Sequence, residues 1–373
     1  MIIADDLTGA CDAAVPFAAS GLTTYIGLHY DDQPPPGWEA WAINTDTRCS
    51  SSAEAADRVS FACESARALG AGAIVKKIDS TMRGNVAAEI EAARAVLQPR
   101  ITLLAPAFPA LGRTVRSGNI FVEGGGPPIP IGEHLPGLQY AIVPAPPGQD
   151  ARLGWRDAIA RAAEERLDIL IPDTESERDL RLVAEAAAEI GGILLAGSGG
   201  LTKAIASTLD SAGRAAAPLA GVRRPVLLCA GSDHGATLSQ LKHVETEKHA
   251  LFTKAGPEGY RHANAALAQG RNVVLLLERS HLDAAVLREF AETLRIDLCG
   301  ALLLTGGDTA MHVLDALGAK TICCRSEILP GLPEGEIHGG AADGLLLVTK
   351  SGAFGAPDAL SRCIEILRVP AAK

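Results

Sequence analysis

Ala301-Leu302-Leu303-Leu304 runs into Thr305-Gly306-Gly307-Asp308-Thr309, and Leu345-Leu346-Leu347-Val348 runs into Thr349-Lys350-Ser351-Gly352-Ala353-Phe354-Gly355. A short apolar run, a glycine turn and a following helix is an arrangement by which α/β proteins hold phosphate. Without a Cβ the backbone can approach closely, and unpaired N–H groups at the helix start point at the anion. Two such turns so close together make a nucleotide site the first expectation, on an α/β architecture.

The same alternation extends over the whole chain. Strands are predicted at Ala73–Lys77, Ile101–Ala105, Ile169–Ile171 and Ile193–Ala196, and helices at Glu54–Leu69, Glu89–Leu97, Trp155–Arg166 and Glu177–Ile190. A second series of strands is predicted at Val226–Ala230, Val273–Leu277, Ala301–Leu304, Thr321–Cys324 and Leu345–Val348. Such alternation predicts mainly parallel sheets covered by helices. The 373-residue length suggests two domains, and 47% hydrophobic content is ample for two cores. Residues 211–225, SAGRAAAPLAGVRRP, are small and aperiodic, which places a linker at 211–224 between domains 1–210 and 225–373. Gly124–Pro147, rich in Gly and Pro, reads as an irregular excursion.

The net charge of −10 argues against general nucleic-acid binding. An anionic protein with an anionic ligand must concentrate its positive charge, for which Lys76, Lys77, Arg83, Arg113, Arg116 and Lys350 are candidates. No apolar run approaches the roughly 18 residues of a membrane span. Met1–Asp6 has no basic segment and turns acidic at once, so no signal peptide is expected. Eight cysteines without a C-x-x-C pair predict reduced thiols, with Cys323-Cys324 in a strand.

Four N-terminal segments carry chemistry. In Ala4-Asp5-Asp6-Leu7-Thr8-Gly9-Ala10, a helix cap explains one acid but not two repelling neighbours at a strand end. Adjacent carboxylates can receive polyol hydroxyls, take up a proton or hold a metal. Lys76-Lys77-Ile78-Asp79-Ser80-Thr81-Met82-Arg83-Gly84-Asn85 delivers an arginine in a glycine-flanked loop, suited to clamping a carboxylate or phosphate. The bland alternative is a surface ion-pair cluster with Asn85 as cap. Ala105–Thr114 holds two prolines and Arg113, a rigid loop or a ligand loop. Gly197-Ser198-Gly199-Gly200-Leu201 is either an anion nest or a close helix–sheet contact.

In the second half, Gly231-Ser232-Asp233-His234-Gly235 follows a strand, and Ser232 can offer a hydroxyl and an N–H to phosphate or ribose. His234, a lone loop histidine, does not argue catalysis by itself. Asp308 is a plausible partner for Mg²⁺ or ribose, and Thr309 for phosphate. The P-loop, a complete G-x-G-x-x-G after a strand, and the H-R-D and D-F-G signatures are all absent.

The motif order resembles the four-carbon acid sugar kinases, which phosphorylate threonate, erythronate or 3-oxo-tetronate with ATP. The resemblance runs from residue 2 to about 367. It rests on ADDLTGA at 4–10, KKIDSTMRGN at 76–85, PAFPALGRT at 106–114 and GSGGL at 197–201. It continues with AGSDHGATLSQ at 230–240, TGGDTA at 305–310, EILPGLP at 327–333 and KSGAFGAPDAL at 350–360. The resemblance implies an N-terminal domain that binds the acid sugar, a C-terminal domain that binds ATP, and an active site in the cleft between them. It assigns nucleotide contacts to Ser232, Gly306, Gly307, Asp308, Thr309 and Gly352, and the acid to Asp5, Asp6, Asp79, Arg83 and Arg113.

On this expectation Asp6 or Asp79 orients the acceptor hydroxyl, and Mg²⁺ bridges the ATP phosphates to Asp308. The partners are a small sugar acid and ATP, with no nucleic acid and no membrane. A cytoplasmic location and a homodimer complete it. The stretch after Arg113, with Gly124-Gly125-Gly126-Pro127-Pro128, departs from the family's usual segment, so the particular acid does not transfer. A non-catalytic sensor of acid and nucleotide is one alternative. An aspartyl-phosphate phosphatase is the weaker one, since that chemistry needs acids two residues apart.

Overall fold

In the computed structural model, which describes residues 1–148, 150–209, 221–278 and 283–368, the chain divides into two compact units. The first comprises Met1–Leu22, His29–Gln33 and the described part of Ala40–Arg214. The second comprises Thr23–Leu28, Pro34–Glu39 and the described part of Ala215–Lys373. The predicted linker falls largely on 210–220, outside the described residues. A division made once, near residue 210, leaves out the early excursion. Thr24–Gly27 belongs with the second unit because it pairs antiparallel with Thr321–Cys324.

In the first unit the strands lie in the order Ala40–Asn44, Ile2–Ala4, Val75–Lys77, Ile193–Gly197, Ile101–Ala105, Ile169–Pro172 and Tyr140–Val143, each parallel to its neighbours. All five residues of Ile101–Ala105 are buried, as expected of a parallel strand covered on both faces. Leu103, Trp155, Ile159, Ile169, Leu180 and Val183 share one core with it. Ser51 caps the helix Ser52–Ala68, and a capping box of Ser176 with Asp179 starts Glu177–Ile190.

The sequence reading of Gly124–Pro147 as irregular requires correction, because Tyr140–Val143 is an edge strand of this sheet. Before it, Arg113–Arg116 and Asn119–Val122 form a hairpin. Its turn residues Ser117 and Gly118 have φ 49° and 68°, the mirror-image turn that matches strand twist. Asp173 accepts both turn amides, at 2.8 and 3.1 Å.

The second unit is mixed. Leu251–Lys254, Val273–Leu276, Val226–Ala230, Ala301–Thr305 and Leu346–Lys350 are parallel. Leu332–His338, Thr321–Leu329 and Thr24–Gly27 continue the sheet antiparallel. Every residue of Val226–Ala230, Ala301–Thr305 and Leu346–Lys350 is buried. Cys323 and Cys324 lie in the Thr321–Leu329 strand, and all eight cysteines are free thiols. Among the described residues no helix is long and apolar enough to cross a membrane.

One ionic pair is set inside the first unit. Lys76 Nζ lies 2.8 Å from Glu89 Oε2, with both side chains 1% exposed. Lys76 also donates to the carbonyls of Ile3 and Lys77, and Glu89 Oε1 accepts from Thr47 Oγ1 at 2.5 Å. Removing one member leaves an uncompensated buried charge. Glu89→Ala is expected to cost about 3–5 kcal/mol in denaturant unfolding, while Lys76→Met with Glu89→Leu costs far less.

Candidate active site

In each unit the candidate residues gather at the carboxyl ends of parallel strands, where neighbouring connections depart in opposite directions. This is the crevice in which open α/β sheets hold ligands. In the first unit Ile2–Ala4 delivers Asp5 and Asp6, Ala40–Asn44 delivers Thr45 to Arg48, and Val75–Lys77 delivers Ile78 to Arg83.

Arg48 joins the two acids. Its Nε and Nη2 donate to the Asp5 oxygens at 2.8 and 2.9 Å, and Nη1 donates to Asp6 Oδ2 at 2.6 Å. Burial opposes ionisation of Asp5. The charge and hydrogen bonds of Arg48, with Lys76 and Lys77, outweigh it and hold the carboxyl below the usual range. Arg48 is held above its ordinary value, since Asp6 and Asp5 outweigh its own desolvation. Sequence reasoning missed this residue. The chain does carry a signal for it: the apolar run Ala40–Ile43 has the length of a strand and ends in the polar loop Thr45-Asp46-Thr47-Arg48.

Asp6 does serve as the cap of the helix Leu7–Ala19, its Oδ1 accepting from Gly9 N at 2.8 Å. Its Oδ2 accepts from Thr8 Oγ1 at 2.8 Å as well as from Arg48. Capping and an acid cluster therefore coexist in one carboxylate.

Asp79 is more heavily engaged. It accepts from Arg83 Nε at 2.9 Å, Arg83 Nη2 at 2.6 Å, Thr81 N at 3.0 Å and the Thr81 hydroxyl. Burial opposes its charge, but these bonds and the charges of Arg48 and Arg83 hold it far below the usual carboxylate range. Met82 between them is buried and has φ 63°, a left-handed conformation costing about 1–2 kcal/mol in a non-glycine residue. Asn85 makes no side-chain cap. Its Nδ2 donates to the carbonyls of Thr47 and Ser50 at 2.8 and 2.9 Å, tying the Arg48 loop to this one.

Arg113 Nη1 donates to Ser80 Oγ, so the proline-stiffened loop is brought to the Asp79 loop. Desolvation lowers the Arg113 pKa, partly opposed by Asp79. Arg116 is engaged elsewhere, over the Phe121 ring at 4.6 Å. The glycines of GSGGL answer to packing. A Cβ on Gly197 would stand 2.3 Å from the Ala105 carbonyl, one on Gly200 2.5 Å from the Ala107 carbonyl, and one on Gly199 2.3 Å from Asp12 Oδ2.

The second unit brings its predicted residues together at the ends of Val226–Ala230, Ala301–Thr305 and Leu346–Lys350. A Cβ on Gly352 would stand 2.4 Å from Ser232 Oγ, and one on Gly231 would stand 2.2 Å from Thr309 Oγ1. Gly306 has φ 98°, and the helix Gly307–Ala316 follows it. The N–H groups of Gly307, Asp308 and Thr309 find no acceptor among the described residues, as at any helix start. Thr309 is buried beneath Gly231, whereas Asp308 is exposed and its carboxylate has no partner among the described residues. His234 caps the helix Gly235–Thr246, its Nδ1 accepting from Ala236 N at 3.2 Å.

Two buried side chains shape the Ser351–Ala356 loop. Lys350 Nζ donates to the carbonyls of Ser351, Gly352 and Phe354 at 2.9, 3.2 and 3.1 Å, and to Thr237 Oγ1 at 3.1 Å. Gln240 Nε2 donates to the carbonyls of Phe354, Gly355 and Ala356 at 3.0, 3.0 and 2.9 Å. A trans peptide points its N–H opposite its C=O, so carbonyls turned inward leave the amides of Gly352, Ala353 and Gly355 turned the other way. Burial depresses the Lys350 pKa to about 8. Among the described residues no group of three His, Cys, Asp or Glu side chains could hold a metal.

Residues 1–135 match the model of a sugar-binding N-terminal domain, and residues 236–360 that of a nucleotide-binding C-terminal domain. The chain is 31% identical to a D-threonate kinase of Salmonella typhimurium, over 96% of each chain. It is 30% identical to a 3-oxo-tetronate kinase of Methylobacterium radiotolerans, over 98% of each. A solved Haemophilus influenzae structure, 20% identical, superposes with a TM-score of 0.72 over 98% of this chain and 99% of that one, which supports the fold. Acid cluster, glycine turns and full-length kinase relatives agree: the chain belongs to the four-carbon acid sugar kinase family and is an ATP-dependent phosphotransferase acting on a hydroxyl group.

Proposed function

We propose that the protein phosphorylates the terminal hydroxyl of a four-carbon sugar acid, threonate, erythronate or 3-oxo-tetronate, in the cytoplasmic catabolism of such acids. The observation that carries this reading is the cluster of paired carboxylates and guanidiniums in the unit whose sequence matches a sugar-binding domain. Asp6 orients the acceptor hydroxyl and takes its proton. Asp79, saturated by Arg83 and Thr81, is the poorer base and instead aims Arg83, whose fork, with Arg113 near it, receives the substrate carboxylate. Asp5 fixes Arg48 and thereby Asp6.

ATP phosphates are held by the free amides of Gly307, Asp308 and Thr309, with Ser232 and Gly352 beside them. The unpartnered, exposed carboxylate of Asp308 suits Mg²⁺, which takes one or two carboxylates and completes its shell with phosphates and water. When bound, Mg²⁺ neutralises phosphate charge. The chain's own contribution is alignment, which puts the acceptor oxygen in line with the γ-phosphorus.

A panel of threonate, erythronate and 3-oxo-tetronate with ATP tests the reading. At least one acid is expected to be phosphorylated at its terminal hydroxyl, and turnover of none by folded, ATP-binding protein overturns it. Asp6→Asn is expected to lower kcat roughly 10²–10⁴-fold, while Asp79→Asn acts mainly through the KM of the acid. Gln240→Leu removes a donor from three loop carbonyls and leaves that of Gly355 without a partner among the described residues. It is expected to raise the ATP KM about tenfold with the acid KM unchanged, as initial-rate kinetics would show.

A further inference from the structure

Lys77 is a buried cation that the site described so far does not use. Its side chain is 4% exposed, yet its ammonium makes one hydrogen bond, to the Ile78 carbonyl at 3.0 Å. An ammonium carries three donors, so two remain. Its neighbours are engaged differently: Lys76 by Glu89 and two carbonyls, Arg48 by Asp5 and Asp6, and Arg83 by Asp79. Asp5 balances part of the Lys77 charge at a distance, without a hydrogen bond.

The place is specific. A Cβ on Gly9 would stand 3.2 Å from Lys77 Nζ and 2.4 Å from Asp6 Oδ1, so the ammonium and the carboxylate flank the first helical turn together. In that turn the N–H groups of Leu7 and Thr8 have no acceptor among the described residues. Spare ammonium donors and free amides beside Asp6 are together suited to an oxyanion.

We propose that Lys77 binds the transferred phosphoryl group, and rest this on the reading of Asp6 as the group that takes the acceptor proton. The acceptor oxygen lies at Asp6, so whatever bonds to that oxygen arrives beside Lys77. The substrate carboxylate lies at the other end of a four-carbon chain. A compact ammonium also suits phosphoryl oxygens, whereas the planar fork of Arg83 suits a carboxylate. In the step, the acceptor oxygen forms a bond to the γ-phosphorus and the bond from that phosphorus to the bridging oxygen breaks. The electron pair leaves with ADP and the hydroxyl proton passes to Asp6. Lys77 offsets charge on the phosphoryl oxygens during transfer and holds the product phosphate afterwards.

The test uses the full-length enzyme, the acid it turns over and the phosphorylated product. Lys77→Met is expected to lower kcat about 10²–10³-fold, the size of effect seen when one oxyanion donor is removed, with the KM of acid and ATP nearly unchanged. Inhibition by the phosphorylated product should weaken at least about tenfold. Gly9→Ala, which crowds Lys77 and Asp6 without removing either, should lower kcat in the same direction. A rise in the acid KM with kcat retained makes Lys77 a carboxylate ligand and overturns the proposal, as does unchanged product inhibition. If the wild type phosphorylates no acid, the functional reading fails separately. Inorganic phosphate binding by calorimetry then decides: loss in Lys77→Met supports the Lys77 site, and equal binding overturns it.

Discussion

Two adjacent carboxylates at the end of a buried strand repel each other unless a cation of suitable shape stands between them. Arg48 meets that requirement, because a planar fork can bond both oxygens of Asp5 and still reach Asp6. Most of the N-terminal site follows from holding this fork in place. Backbone N–H groups of Thr47 and Arg48 bond the Asp5 carbonyl, and Asn85 pins the same loop from the Asp79 side. Beneath it, Thr47 continues into the buried Glu89–Lys76 pair. The ionic pair in the core and the ionic cluster at the strand ends are thus one connected network, whose members act through each other.

The nucleotide end solves a different problem with neutral and cationic donors. A glycine loop presents amides to an anion only if its carbonyls are turned away and satisfied elsewhere. Lys350 and Gln240 supply those partners from fully buried positions on a strand and a helix. The neighbouring turn at Gly306 needs no such device. Its amides are the unpaired donors of a helix start, which the chain enters through Gly306 at φ 98°.

Much of this was legible in the chain, for identifiable reasons. Ile101–Ala105, Glu177–Ile190 and Val226–Ala230 match their predicted bounds because their apolar runs stop at turn or capping residues. Strands ending in polar loops were harder. Ala40–Asn44 and Thr24–Gly27 have no glycine turn after them, and with the first of these Arg48 was lost. The Ser117-Gly118 hairpin had a local signal, which the proline-rich surroundings obscured. Asn85 and His234 illustrate the limits of cap propensity: the asparagine crosslinks two loops, whereas the loop histidine caps a helix.

The α/β class, the glycine turns, the acid-rich strand ends and the family can all be read along the chain, since each is a local pattern or an ordered set of patterns. Which charges meet depends on how the strands and helices pack. Arg48 finds Asp5 and Asp6 across more than forty residues, |i−j| being 43 and 42, and Lys77 is left with spare donors while Lys76, one residue earlier, is saturated. Successive strand residues face opposite ways, so neighbours in sequence receive different partners. Those partners come from other strands and helices, which no local pattern names.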